Sequence, residues 1–367
     1  MKIDFHVHLF PDALAVKTIE KLARIAGDEN GDAPHYTDGT LRGTLEKMDV
    51  WGVDRAVTQH IATSVHAMHK VNDFAASVRS ERLYAFGSVH PDAPDALEEL
   101  ERIRALGLDG VKLHPDYQNF FVDEERMASI YEKMAQLHLP VLFHAGWDPL
   151  SPELLHAEPE RLARVAEGFP EMTIIAAHLG GMRRYDQVEK HLLGRKNVYL
   201  DTAMTAAYLH DEAQFVRVLR GHGLDRVLFA TDCPWSNPER ELHLLDNAGL
   251  TQQEYDDLLR GTDADCFIPL WASAAKGEGH PLMDETTYAF ISFCKEHGYS
   301  PARIDGNPED YIGSQLEALA YFYACAAVDE AYLDAAAFLE DRFLADTVHA
   351  YAQALRSYRQ SGEAIEV

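Results

Sequence analysis

Eight short apolar runs recur along the first 262 residues of this 367-residue chain, each followed by a stretch whose apolar residues repeat at helical spacing. The runs are KIDFHVH (2–8), DRAVTQHI (54–61), LYAFGSVHP (83–91), DGVKLHPDY (109–117), LPVLFHAGW (139–147), MTIIAAHLGG (172–181), NVYLDTAM (197–204) and DRVLFATDCPW (225–235). Between them lie amphipathic segments such as 95–107, 123–138 and 212–223. Parallel strands need a crossover of a dozen residues or more, and alternating strand and helix patterns supply it. The expected class is α/β. Eight such units in 262 residues fit a closed (β/α)8 TIM barrel, whose usual size is about 250 residues. An open doubly wound sheet is the structural alternative.

In such a barrel the C-terminal strand ends form the rim that carries chemistry. His6 and His8 lie two apart on the first run, so an extended backbone turns both imidazoles to one face. Lys112, His114, His144, His178, Asp201 and Asp232 occupy equivalent places on later runs, and all eight residues are expected to converge. One histidine on a strand is ordinarily a satisfied structural residue. Five at equivalent strand ends are a different matter.

Imidazole nitrogen and carboxylate oxygen are the donors that zinc prefers, and catalytic sites keep a position open for water or substrate. His6, His8, His144 and Asp232 can supply that set for one divalent cation. Zinc is the first expectation, and manganese, iron or cobalt suit the same donors. Asp232 is expected to shuttle the proton. His178 stands beside the cation as a further ligand or as the group that polarises water or substrate, two roles that the sequence leaves open. Lys112 could instead bridge a binuclear site. Otherwise Lys112 or His114 faces the mouth as a cation for a substrate carboxylate, with Trp147 and Trp235 lining the pocket.

Composition limits the partners. A formal charge of −27 repels nucleic acid from most of the surface. No run approaches the roughly 18 apolar residues of a membrane span. The four cysteines lack metal-knuckle spacing, and the N-terminus reads directly into a strand. A cytoplasmic location with reduced thiols is expected.

DFHVH, GVKLHPDYQNF, PVLFHAGWDPLSPE, IIAAHLGGM, VYLDTAM and LFATDCPW, in this order, resemble the amidohydrolase-related metal-dependent hydrolases. That family's branches include decarboxylases of the aminocarboxymuconate semialdehyde type. The resemblance covers residues 1–262. It implies that His6, His8, His144 and Asp232 match metal-binding positions and that His178 matches a catalytic or ligating histidine. It further implies a hydrolase of a small amide, ester or lactone, with nonoxidative decarboxylation of an aromatic or enoic acid as the alternative. Barrels of this type often pair as homodimers. Ala230 departs from the glycine usual before the Thr-Asp of the eighth strand.

Beyond residue 262 the rhythm stops and Ala- and Leu-rich helical stretches follow, with 18 acidic against 6 basic residues over 263–367. This all-helical segment resembles the second half of the TorD and DmsD type of redox-enzyme maturation chaperones. Asn307-Pro308-Glu309-Asp310-Tyr311 stands where that family carries Glu-Pro-x-Asp-His. The resemblance implies a twin-arginine signal peptide as partner, and an acidic helical surface suits a doubly basic ligand.

Overall fold

The computed structural model describes residues 1–27 and 31–260. The expected helical segment 263–367 lies outside the described residues. Eight parallel strands follow one another around a single sheet in sequence order: β1 (Ile3–Val7), β2 (Arg55–Gln59), β3 (Leu83–Gly87), β4 (Gly110–Leu113), β5 (Val141–Phe143), β6 (Ile174–Ala176), β7 (Val198–Asp201) and β8 (Val227–Leu228). The eight expected runs each supply one strand, and the fold is a TIM barrel.

Backbone bonds between β1 and the segment after β8 bring the ends of the sheet together. Phe5 N donates to Phe229 O (2.9 Å), Asp232 N to His6 O (2.8 Å) and His8 N to Cys233 O (2.6 Å). Asp4 ties the same seam with its carboxylate. Its Oδ1 accepts from the backbone N of His6 (3.1 Å) and of Thr231 (2.9 Å), and its Oδ2 accepts from Thr231 Oγ1 (2.6 Å).

Strands this short are specified by packing on both faces. Val111, Leu113, Val141, Phe143, Ile174 and Leu200 are all fully buried, which is why the runs read as continuous apolar stretches without alternation. The outer helices are one-sided. Helix Glu212–His222 turns Phe215, Val218 and Leu219 inward, and the Asp211 side chain caps its start by accepting from Ala213 N. Helix Leu41–Trp51 opens on the Thr40 hydroxyl and closes at Gly52, whose φ of 62° provides the left-handed turn.

Two backbone features shape the rim. The β1–β2 register shifts between Asp4 and Val7, so β1 carries one extra residue where His6 must be aimed. Several non-glycine residues after the strands also take left-handed φ values: His178 (60°), Leu179 (55°), Arg183 (58°), Met204 (55°) and Asp232 (67°). Such conformations are costly for L-residues and persist where the surroundings hold them, which is common at functional sites. Gly146 has φ 88°, and a Cβ there would lie 2.3 Å from Met182 N. The absence of a side chain lets the β5 and β6 loops meet, with Met182 N donating to Ala145 O and Trp147 N to Met182 O.

Candidate metal centre

The strand ends gather most of the expected residues into one buried cluster. His6 Nε2 and His8 Nε2 are 3.2 Å apart, and Asp232 Oδ1 lies 3.5 Å from the first and 3.1 Å from the second. His178 Nε2 is 3.0 Å from His144 Nδ1, and the His6 and His178 ring centres are 5.5 Å apart. His144 thus meets the other donors through His178. Lys112 Nζ lies 3.3 Å from His6 Nε2. His114 stacks on His144 at 4.3 Å and on Tyr117 at 3.8 Å.

Hydrogen-bond partners on the outer side of each ring fix which nitrogen carries the proton. His6 Nδ1 faces Asp201 Oδ2 (2.9 Å), His8 Nδ1 faces Gln59 O (3.0 Å) and His178 Nδ1 faces Ala203 O (3.1 Å). These oxygens accept, so each of these nitrogens donates. His144 is reversed, with Nε2 donating to Trp147 O (3.2 Å). The inner nitrogens, His6 Nε2, His8 Nε2, His178 Nε2 and His144 Nδ1, are therefore lone pairs turned toward one another. Burial depresses the imidazolium form of His6 and His144 well below the ordinary histidine range and pulls His178 down to about 4. Burial thus favours neutral rings here, and Lys112 Nζ beside His6 Nε2 is a donor set against one of these lone pairs.

Asp232 Oδ1 adds a fifth acceptor, buried and without a hydrogen-bond donor. Acceptors packed at 3.0–3.5 Å repel unless a positive charge lies among them. The donor set is neutral imidazole plus carboxylate, which fits a divalent cation of the zinc or manganese type. His6, His8 and Asp232 offer three ligand atoms within mutual reach of one ion.

The orienting groups are as buried as the donors. Asp201 Oδ1 accepts from the backbone N of His178 (2.8 Å) and of Ala203 (3.1 Å) while Oδ2 holds His6. Burial pushes its carboxyl up, and the donors around it oppose the shift. A carboxylate behind a ligating histidine fixes its tautomer and raises its basicity, and loss of such a partner costs about 10- to 100-fold in metal affinity. Asp201→Asn is expected to raise the metal dissociation constant by about that factor while the far-ultraviolet circular dichroism stays unchanged. Competition with a fluorescent chelator measures it.

Sequence reasoning passed over two carboxylates. Asp148 Oδ2 lies 3.6 Å from both His114 Nε2 and His144 Nε2, forming a second buried group of possible ligand atoms beside the first. Burial raises Asp148 to about 7. It sits in a loop, where no periodicity marks it. Asp4 was legible in principle, since it precedes His6 by two on the same strand.

The cluster opens into a cavity of about 1430 Å³ lined also by Trp147, Trp235, Tyr117 and Tyr208. Trp147 and Trp235, the aromatic residues expected at the mouth, are both half-buried there.

The amidohydrolase family model matches residues 3–264, and the nitrate reductase delta subunit model matches residues 243–357. An uncharacterized TIM-barrel protein from Bordetella bronchiseptica superposes with a TM-score of 0.56 at 19% identity, covering 72% of this chain and 96% of its own. A 5-carboxyvanillate decarboxylase from Sphingomonas paucimobilis gives 0.54 at 16%, covering 72% and 98%. Another 5-carboxyvanillate decarboxylase, from Novosphingobium aromaticivorans and solved with bound manganese, gives 0.52 at 16%, covering 72% and 96%. At these identities the likeness to solved structures is one of fold.

Proposed function

The chain belongs to the amidohydrolase family, and from that premise we propose that it is a metal-dependent hydrolase of a small amide, ester or lactone. One observation carries the reading: four imidazole lone pairs and the donorless Asp232 Oδ1 are packed together beneath a cavity. His6, His8, His144 and Asp232 would hold one divalent cation, with His178 as a further ligand, because its inner nitrogen is an acceptor and has no proton to give. The cation when bound would acidify water and polarise the substrate carbonyl.

The chain's own groups supply the rest. Asp232 takes the proton of the attacking water and returns it to the leaving group. Lys112, buried beside His6, places positive charge where the carbonyl oxygen becomes an oxyanion. His114, stacked under Tyr117, forms a flat wall against the substrate. Asp201 and the carbonyls of Gln59, Ala203 and Trp147 hold the rings in place. Zinc suits the donor set, and manganese is favoured by the metal-bound relative.

A second reading is nonoxidative decarboxylation of an aromatic or enoic acid, favoured by the names of the solved relatives and by the buried Lys112 cation. Assay of the metal-loaded full chain in ¹⁸O-water separates the two. Hydrolysis of a lactone, ester or amide panel places ¹⁸O in the product carboxyl, the expected result. Carbon dioxide release from a carboxylate panel without ¹⁸O in the organic product would replace it by the second reading.

Residues 263–367 belong in this proposal as a segment that binds a twin-arginine signal peptide. Its support is the nitrate reductase delta subunit match and the acidic excess of the segment. A cytoplasmic homodimer completes the reading. Among the described residues no helix is long and apolar enough to cross a membrane.

A further inference from the structure

Arg183 stands in the loop after β6, exposed, on left-handed backbone with φ 58°. Its guanidinium carbon lies 3.7 Å from the Trp147 ring centre and 4.7 Å from that of Tyr208. The two rings are 6.0 Å apart at an interplanar angle of 56°. Cation–π contacts use none of the guanidinium's hydrogen-bond donors, so its N–H fork stays available.

That fork has no acid to serve it. The adjacent Arg184 pairs with Glu158, and Arg161 and Arg164 share Asp123, whereas no acidic side chain among the described residues lies within ion-pairing distance of Arg183. Arg183, Trp147 and Tyr208 all line the cavity. The Tyr208 hydroxyl is pushed up mainly by burial, and the neighbouring Arg183 opposes that shift. Lys17, Lys21 and Lys70 line the same cavity and are exposed, with Asp32 as an exposed acid beside them in the lining. The fork matches a two-oxygen planar anion better than a neutral amide, because two parallel N–H···O bonds form at once.

We propose that Arg183 is the specificity-determining residue of this cavity and that it holds a substrate carboxylate remote from the reacting carbonyl carbon. The proposal rests on the catalytic reading above and deepens it, since it specifies a substrate with an acid group at its far end. Trp147 and Tyr208 act as positioning residues that aim the fork.

Isothermal titration of the manganese-loaded full chain with glutaramate, with its neutral diamide glutaramide and with inorganic phosphate tests it. Wild type is expected to bind glutaramate about 10- to 100-fold more tightly than glutaramide, the scale of charge-assisted hydrogen bonds. Arg183→Met is expected to erase that preference, and Arg183→Lys to keep part of it, because a point charge replaces the fork. An unchanged preference in Arg183→Met overturns the proposal. So does phosphate binding that depends on Arg183 without any preference for glutaramate over glutaramide. Metal analysis of the same samples keeps the two readings apart. Wild type without stoichiometric metal that still shows the Arg183-dependent preference defeats the catalytic reading and leaves this one standing.

Discussion

Asp232→Asn is expected to lower kcat/KM by about three orders of magnitude while leaving the fold intact. The magnitude follows from general acid–base catalysis, typically worth about 10²- to 10⁴-fold. Asparagine keeps the shape of the side chain but loses its basicity, and its amide can turn N–H groups into a space filled with lone pairs. The backbone there has φ 67°. Asparagine tolerates the left-handed region better than other non-glycine residues, so the substitution adds little strain. Alanine would confound lost chemistry with lost conformation. Steady-state kinetics on whichever panel compound is turned over, paired with a melting curve, is the measurement. Activity within tenfold of wild type would remove Asp232 from the proton-transfer role.

Stripping the chain with a chelator is expected to abolish turnover and to lower the melting temperature by roughly 8 °C. A ligand present at 1,000 times its dissociation constant stabilises by about 4 kcal/mol, and in a domain of this size each kcal/mol moves the midpoint by about 2 °C. The physical origin is the cluster itself. Without a cation, His6 Nε2 faces His8 Nε2 at 3.2 Å and His178 Nε2 faces His144 Nδ1 at 3.0 Å, nitrogens whose outer partners leave their lone pairs turned inward. Manganese or zinc should restore both melting point and activity. Elemental analysis with scanning fluorimetry checks this, and an unchanged melting curve after complete stripping would argue against a buried cation.

The barrel was legible because its strands are packed on both faces and so read as unbroken apolar runs, while its helices bury one stripe. Ile174–Ala176 and Val227–Leu228 are only three and two residues long, yet the runs around them announce their places. The histidines at the strand ends stood out for a related reason: a polar group at the end of an apolar run is conspicuous, and the fold carries such ends to one rim. Their spatial meeting is a matter of geometry, and their roles are the proposal made above. Asp148 was hidden because its position depends on a loop, and loops carry no period. Arg183 was hidden for another reason. Its placement depends on a left-handed φ and on two aromatic rings, 36 residues before it in Trp147 and 25 after it in Tyr208. Which side of His178 carries the proton likewise depends on a carbonyl, that of Ala203, which no sequence pattern displays.

The carboxylate of Asp4 reaches across 227 residues to the hydroxyl of Thr231, and the candidate centre lies on that same junction. A ribosome must therefore release nearly the whole first 235 residues before the earliest-made histidines can meet the aspartate that completes their set. Contacts so distant along the chain are slow to form, because closing a long loop costs entropy before any bond rewards it. Under the proposal above, a fragment that stops short of Asp232 lacks one of the groups assigned to the cation, so the last stave is the piece on which the candidate centre waits.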